Sequence, residues 1–194
     1  LAGLERMRTP LLDACSALPG DLQVVTLQPS QRIKPDGEVA EIHHGASIRL
    51  RVRPEAPIQI ALTGHYDTVF PAAHAFQKPW REGETLRGPG VADMKGGINV
   101  MLAALQAFER LSGEKRVGYE VLLSPDEEVG SMGSAPLLAE LGAKAHLGLT
   151  YEPAMGDGAL VDARKGSANY HLAIRGRAAH VGRAFNDGRN AVIA

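Results

Sequence analysis

The chain has 194 residues, of which 44% are hydrophobic, and a formal net charge of −1 at neutral pH. This length and apolar content are enough to bury the core of one domain or slightly more. The near-neutral charge, without a block of Lys and Arg, argues against a nucleic-acid or anionic-membrane partner, and no apolar stretch is long enough to span a bilayer. The single cysteine, Cys15, excludes an internal disulfide and favours a reducing compartment, so we expect a cytoplasmic protein.

Strand-like and helix-like segments alternate over the first 160 residues. A helix is predicted over residues 9–18, with Thr9 as its N-cap and Pro10 at its first position. Further helices are predicted over 94–111, deeply packed because apolar residues occur on most sides, and over 133–141. Strands are predicted from β-branched content and partial alternation, and residues 70–90 are predicted to form a long polar loop. The predicted strands are 21–27, 47–53, 58–64, 118–124 and 145–152.

This order of elements predicts an α/β fold in which a mostly parallel sheet carries helices on its faces. From residue 163 the pattern changes: residues 167–176 alternate as a two-sided strand, and 188–194 predict the opening of a helix. We therefore expect one domain over residues 1–162 and the beginning of a second over 163–194, too short to close a core of its own.

A histidine and an aspartate follow the predicted strand 58–64 in the stretch "IALTGHYDTVFP". Residues at i and i+2 of a strand point the same way, so His65 and Asp67 can converge at its carboxyl end, the edge where open α/β sheets bind ligands. A metal-bound imidazole commonly donates its other ring N–H to a carboxylate, a role that suits Asp67. Taken alone, such a pair in a loop is more often a solvated hydrogen-bonded pair than a metal site.

Further acidic side chains occur at comparable positions. Asp93 precedes the long predicted helix, the pair Glu127 and Glu128 follows the strand 118–124, and Glu152 ends the strand 145–152. Each has a simpler interpretation: a helix N-cap for Asp93, a solvated acidic turn for Glu127 and Glu128, and a surface residue for Glu152. Together at one sheet edge they would repel one another unless a cation neutralised them, which favours a metal site.

The nitrogen and oxygen ligands suit zinc, with manganese or cobalt as substitutes, and the excess of carboxylates over one tetrahedral shell indicates two ions. One glutamate of the pair at 127 and 128 can bind metal while its neighbour serves as a general base toward an acidified water.

The motifs at these positions, taken in order, resemble the signatures of the co-catalytic zinc exopeptidase and deacylase family, which includes acetylornithine deacetylase, succinyl-diaminopimelate desuccinylase, aminoacylase and the glutamate carboxypeptidases. The match spans residues 60–194. Its motifs are "TGHYDTVF", "GPGVADMKGG", "SPDEEVGSMGS", "YEP" and "GRAAHVG".

The resemblance implies a role for each matching residue. It implies that His65 and Glu152 share one zinc, that Asp93 bridges two zincs, and that Glu128 binds the second. Asp67 is then the partner that orients His65, and Glu127 is the general base. It also implies a cis peptide between Asp93 and Met94.

The resemblance further implies a homodimer in which His180, on the dimerisation domain, reaches the partner's active site to polarise the scissile carbonyl. Without the family pattern, His180 would be interpreted as a surface turn residue. The expected activity is hydrolysis of an amide bond in a small N-acyl amino acid or peptide-like substrate, of the carboxypeptidase or deacylase type.

In the family that these motifs resemble, the last zinc ligand is a histidine far toward the C-terminus, and no residue of this sequence matches it. The chain therefore resembles the N-terminal part of a longer enzyme, and we expect it alone to hold at most one weakly bound metal and to show negligible amidase activity. Two other classes stay open. One is a non-catalytic dimerisation or binding protein on the same scaffold. The other is a nucleotide-binding module suggested by the glycines around Asp93, although the sequence has neither GxGxxG after a strand nor GxxxxGK followed by Ser or Thr.

Overall fold

The computed structural model describes residues 1–111, 116–163, 165–166, 168, 170 and 172–193. By its internal contacts the chain divides into two units, Leu1–Gln28 with His43–Leu160 and Pro29–Ile42 with Val161–Ala194. The second unit takes in residues 29–42, which the sequence pattern does not group with the C-terminal residues. The predicted domain boundary between residues 162 and 163 stays a prediction.

Nine strands and three helices are described. The strands are β1 (Asp21–Thr26), β2 (Ser30–Ile33), β3 (Val39–Ile42), β4 (Ala46–Val52), β5 (Ile58–His65), β6 (Trp80–Glu82), β7 (Thr85–Arg87), β8 (Val117–Ser124) and β9 (Leu147–Thr150). The helices are α1 (Ala2–Ser16), α2 (Gly97–Glu109) and α3 (Ala135–Lys144). Among the described residues, none of the helices has the length and apolar content needed to cross a bilayer.

The first unit is built on a five-stranded sheet with the order β1-β4-β8-β5-β9. Strand β5 pairs in parallel with β8 and with β9, whereas β4 is antiparallel to both β1 and β8. The carboxyl ends of β5, β8 and β9 therefore meet at one edge of the sheet, which is the edge predicted to bind the ligand.

Helices cover both faces of this sheet, so the predicted α/β fold with a parallel centre is confirmed. On one face, α1 and α2 pack on apolar side chains of β4, β5 and β8, and the fully buried members include Ile48, Leu50, Val121 and Leu123. On the other face, Leu141 of α3 packs on Ala61 and Leu122. The central strands β5 and β8 are therefore packed on both faces, whereas β9 lies at the edge of the sheet with all its residues exposed.

Helix α1 begins seven residues before the predicted start. Thr9 is not its N-cap: the Thr9 hydroxyl donates to the carbonyl of Glu5 (3.4 Å) inside the helix, and Pro10 is also internal. The earlier start is explained by packing, since Leu4 and Met7 extend the apolar stripe that Leu11 begins. Burying these side chains outweighs the backbone hydrogen bond that Pro10 cannot make.

Two short hairpins were not predicted. Strands β6 and β7 lie within the predicted polar loop, joined by a turn in which Gly83 has a positive φ of 59°. Strands β2 and β3 form the other hairpin, in the second unit. Helix α2 also differs in depth: Ile98, Met101, Leu102 and Leu105 are buried, but Val100 on the opposite side is 60% exposed.

In the second unit the helix predicted over residues 188–194 is absent from 188–193. Instead, Arg189 forms a β-bridge with Arg177, each backbone N–H donating to the other's carbonyl at 2.9 Å. The Asn190 side chain accepts the Val192 N–H (2.8 Å), a local bond that competes with helix formation. Of the predicted strand 167–176, Ser167, Asn169 and His171 lie outside the described residues, and 172–176 form no regular strand.

Candidate metal centre

His65 is the last residue of β5, and its imidazole is 1% exposed. Its backbone N–H donates to the sulfur of Met94 (3.1 Å), a buried residue next to Asp93. The ring is therefore held at the carboxyl edge of the sheet by the strand on one side and by the turn before α2 on the other.

Asp67 connects this histidine to the turn after β8. Its Oδ1 lies 3.2 Å from His65 Nδ1, close enough for electrostatic attraction although their orientation does not meet hydrogen-bond geometry. The same carboxylate accepts the backbone N–H of Glu127 at Oδ1 (3.2 Å) and that of Glu128 at Oδ2 (2.9 Å). Asp67 therefore lies beside one ring nitrogen of His65 and fixes the backbone of the two glutamates, and its role as the partner of a metal-bound imidazole stays a prediction.

Asp93 lies in an irregular turn, Val91–Gly96, directly before α2. The peptide bond from Asp93 to Met94 is cis, as predicted. Oδ1 of Asp93 lies 2.9 Å from His65 Nε2. The alternative in which Asp93 caps the helix is wrong, because α2 begins at Gly97 with Gly96 at the cap and no side-chain cap hydrogen bond.

The three glutamates converge on the same place. Oε1 of Glu152 lies 3.5 Å from His65 Nε2, and Oε2 of Glu127 lies 3.9 Å from the same nitrogen. One ligand atom from each of His65, Asp93 and Glu128 falls within 4.8 Å of the others. Six of the seven residues chosen from the sequence, all except His180, are therefore brought together at one edge of the first unit.

The electrostatics of this cluster are those of crowded carboxylates around one imidazole. Burial and the charge of Asp93 raise the pKa of Glu128, and burial, with Asp93 again, raises the pKa of Glu152. Burial alone would lower the pKa of His65, but Asp67, Asp93 and Glu152 outweigh it and raise that pKa to about 9. A bound cation would relieve the repulsion among these groups.

The spacing of the donor atoms fits a zinc ion. Two ligands of a tetrahedral zinc, each about 2.0 to 2.1 Å from the metal, lie roughly 3.3 Å apart. The distances from His65 Nε2 to Asp93 Oδ1, 2.9 Å, and to Glu152 Oε1, 3.5 Å, bracket this value. One imidazole with several carboxylates is also a ligand set that zinc accepts, so the residues fit the group.

His180 belongs to the second unit, where it is exposed in a turn. Its carbonyl accepts the N–H groups of Arg183 (3.1 Å) and Ala184 (2.8 Å), and its Nδ1 accepts the N–H of Gly182 (3.1 Å). Its role toward a partner subunit stays a prediction.

The sequence patterns missed one pair of residues beside the centre. Asp126 immediately precedes Glu127 and is 1% exposed, and His44 Nδ1 lies 3.5 Å from its Oδ2. The local signal for Asp126 was its place in "PDEEVGSMGS", where only the two glutamates received a role. The local sequence around His44 carries no comparable signal, because the two residues meet only through the tertiary fold.

Comparison with known proteins identifies the class to which this site belongs. The model of the family described as "Peptidase family M20/M25/M40" matches residues 61–185, a range that contains all six residues gathered around His65. The chain belongs to this family.

Two curated relatives illustrate the similarity. The chain is 34% identical over 151 residues to carboxypeptidase G2 of Pseudomonas sp. (strain RS-16), a match that covers 77% of this chain and 36% of that protein. It is 32% identical over 158 residues to succinyl-diaminopimelate desuccinylase of Novosphingobium aromaticivorans, covering 76% and 40% respectively. The matched region is thus well under half the length of either relative.

Solved structures share the fold. An M20 family metallo-carboxypeptidase from Sulfolobus solfataricus superposes with a TM-score of 0.59 at 16% identity, covering 80% of this chain and 34% of that one. Human carnosine dipeptidase 1 gives a TM-score of 0.58 at 18% identity, covering 76% and 32%. At these identities the similarity supports the arrangement of strands and helices.

Proposed function

We propose that this protein is a dinuclear zinc-dependent hydrolase that cleaves an amide bond in a small N-acyl amino acid or peptide-like substrate. The observation that carries the proposal is the convergence of His65, Asp93 and Glu128, with ligand atoms within 4.8 Å of one another. Membership of the family supports it, as do the names of the relatives, since a carboxypeptidase and a desuccinylase both hydrolyse amide bonds.

Four side chains are assigned to hold the metal. His65 and Glu152 would hold one ion, Glu128 would hold the second, and Asp93 would contribute to both. When bound, the ions supply Lewis acidity that lowers the pKa of a water molecule and polarises the amide carbonyl. Manganese or cobalt suits the same donors.

Glu127 is assigned as the general base. Its carboxylate is half exposed, with Oε2 3.9 Å from His65 Nε2, so it borders the cluster while staying open to water and substrate. It accepts a proton from the attacking water and returns that proton to the leaving nitrogen, so the amide C–N bond breaks while acid and amine form. Asp67 keeps Glu127 in place through the backbone bond described above.

The assignment of Glu127 and Glu128 predicts different outcomes for two similar substitutions. In the full-length protein, Glu127→Gln should lower kcat by roughly 100- to 10,000-fold and leave metal content unchanged, because only proton transfer is lost. Glu128→Gln should weaken metal binding by about 100-fold or more, since changes outside the ligand set already cost about 10- to 100-fold. Metal analysis after dialysis and release of free amine from N-acyl amino acids and dipeptides measure the two effects.

Glu55→Gln provides the matched control. Glu55 is exposed and precedes β5, so it lies near the opposite end of the strand that finishes at His65. It should change neither quantity. Turnover of Glu127→Gln near that of the parent would remove Glu127 from the role of base, and metal bound without hydrolysis of any amide would favour the non-catalytic scaffold.

The partner role of His180 is part of the same proposal. If the protein is a homodimer and His180 polarises the carbonyl in the neighbouring subunit, two inactive variants, Glu127→Gln and His180→Ala, should regain activity when mixed. Subunit exchange forms sites that contain both native residues. Absence of any recovery in a demonstrated mixed dimer would contradict this role.

A further inference from the structure

We infer that Asp126, backed by His44, is a positioning residue that fixes the turn carrying Glu127 and Glu128. The inference rests on the proposed function, because it assigns Asp126 a role in holding the base and the metal ligand of that site. It concerns residues that touch neither substrate nor metal in the proposed scheme.

Asp126 lies two residues after β8, and the aspartate is only 1% exposed. Its Oδ2 accepts two backbone N–H groups, from Gly133 at 2.7 Å and from Ser134 at 3.1 Å. These amides lie directly before α3, whose cap residue, Ser134, makes no side-chain cap hydrogen bond. The Asp126 carboxylate therefore supplies an acceptor for backbone donors at the start of that helix.

The turn between Asp126 and α3 is closed by backbone bonds as well. Ser131 N–H donates to the Asp126 carbonyl (2.7 Å), and Gly130 N–H donates to the Glu127 carbonyl (2.8 Å). On the other side of the turn, Asp67 accepts the N–H groups of Glu127 and Glu128. The two glutamates are thus held between two aspartates, one bound to their own amides and the other tied to the helix that follows.

His44 and Gly133 close the space behind Asp126. The His44 side chain is 2% exposed, and its Nδ1 lies 3.5 Å from Asp126 Oδ2. A Cβ placed on Gly133 would lie 2.6 Å from His44 Cδ2 and 3.1 Å from Asp126 Oδ2. The imidazole is packed directly on the glycine, so the carboxylate cannot move in that direction without displacing a buried ring.

This arrangement is more than a stabilising contact. The Oδ1 atom of Asp126 is buried and has no hydrogen-bond partner among the described residues. A buried carboxylate with one unpaired oxygen is costly, and an apolar side chain would avoid that cost. One peptide unit separates Asp126 from Glu127, and a misplacement of about 1 Å at a catalytic group can cost roughly 100-fold in rate. The accurate placement of Glu127 and Glu128 offsets the free-energy cost of burying the Asp126 carboxylate.

Three variants test the inference in the full-length protein. Asp126→Ala removes the acceptor, and Asp126→Asn keeps an oxygen for the two amides without the charge. Gly133→Ala removes no polar group but pushes against the His44 ring and the Asp126 carboxylate. Leu141→Ala is the matched control, because Leu141 is buried under the same helix but lies away from the turn.

Two readouts are independent of turnover. The first is amide hydrogen exchange of residues 126–134 in the metal-free protein. The second is the dissociation constant for cobalt, with the visible spectrum of the bound ion as a report on ligand geometry. The values of kcat and KM on an amide substrate are measured alongside, well below the unfolding temperature of each variant.

We expect Asp126→Ala to accelerate exchange at Gly133 and Ser134, to weaken cobalt binding about 10- to 100-fold with an altered spectrum, and to lower kcat by a similar factor with KM nearly unchanged. Asp126→Asn should restore most of the affinity and rate. Leu141→Ala should lower the unfolding temperature but leave the spectrum and kcat close to those of the parent. If Asp126→Ala fails to fold, Gly133→Ala carries the same expectation for cobalt affinity and spectrum.

The inference is overturned if Asp126→Ala, or Gly133→Ala in its place, behaves like Leu141→Ala in spectrum, affinity and kcat. Failure of the proposed function looks different. In that case no amide is hydrolysed by the parent protein, while the changes in exchange and in the cobalt spectrum still separate Asp126→Ala from Leu141→Ala and support the positioning role.

Discussion

Replacement of Gly97 by alanine measures how closely the first turn of α2 packs against the segment that carries Glu152. A Cβ on Gly97 would lie 1.8 Å from the carbonyl oxygen of Tyr151 and 2.9 Å from its carbonyl carbon. A carbon–oxygen contact needs about 3.3 Å, so the two backbones must separate by about 1.5 Å. Both contacting groups belong to the main chain, and no side-chain rotation can relieve the clash.

The magnitude follows from two opposing effects. Alanine is favoured over glycine inside a helix by about 1 kcal/mol. Overpacking costs about 1 to 3 kcal/mol, and a backbone contact belongs at the upper end of that range. We expect Gly97→Ala to lower the free energy of unfolding by about 1 to 2 kcal/mol net. Because Tyr151 precedes Glu152, whose Oε1 is 3.5 Å from His65 Nε2, metal affinity should also fall at least about 10-fold.

Urea denaturation and a cobalt titration measure both quantities. Gly142→Ala is the matched control, since Gly142 lies inside α3 and no atom falls within 4 Å of a Cβ placed there. That variant should gain about 0.5 to 1 kcal/mol and keep its metal affinity. If Gly97→Ala and Gly142→Ala were equally stable and bound cobalt equally well, the close contact between α2 and Tyr151 would be refuted.

Two further predictions concern pH. Hydrogen bonds from Arg49, and then from Lys144, lower the pKa of Glu140 to about 2, so the stability they contribute is present above pH 4.5 and is lost as the pH falls towards 2. Since Glu140 is 41% exposed, that contribution is below about 1 kcal/mol. Glu140→Gln should therefore show a smaller loss of unfolding free energy between pH 4.5 and 2 than the parent protein. An unchanged loss would contradict a stabilising role for the Arg49–Glu140 ion pair. The neighbouring carboxylates raise the pKa of His65 to about 9 in the metal-free protein, so protons compete with the metal for the imidazole. Zinc affinity should therefore rise by up to about tenfold per pH unit until pH 9. A constant affinity from pH 6 to 9 would argue against His65 as a ligand.

The convergence of the candidate residues could be predicted from the sequence because most of them come at or just after the ends of apolar strands. His65 ends β5, Glu127 and Glu128 come just after β8, and Glu152 comes just after β9. Once those strands are parallel, their carboxyl ends share an edge, and the side chains need no further information to meet. The same local logic placed the five strands of the main sheet and helices α2 and α3 close to their observed positions.

Features that depend on contacts distant in the chain could not be obtained in this way. The start of α1 was misplaced because the capping signal at Thr9 is local, whereas burial of Leu4 and Met7 is decided by the sheet they pack on. The strands of the two hairpins are short and show little alternation, so the sequence pattern predicts them only weakly. They form because the two strands of each hairpin pair with one another. The bridge between Arg177 and Arg189 likewise replaced a helix that local propensity favoured.

The sequence by itself determined which residue types stand near the strand ends and favoured a metal site there, because carboxylates crowded at one edge repel one another. The tertiary structure alone decided the order β1-β4-β8-β5-β9, the antiparallel pairing of β4, and the meeting of His44 with Asp126 behind the turn that carries Glu127 and Glu128. Such contacts join residues as far apart as Ile60 and Leu147, 87 positions in the numbering, and only packing of the whole sheet and its helices brings them within reach of each other.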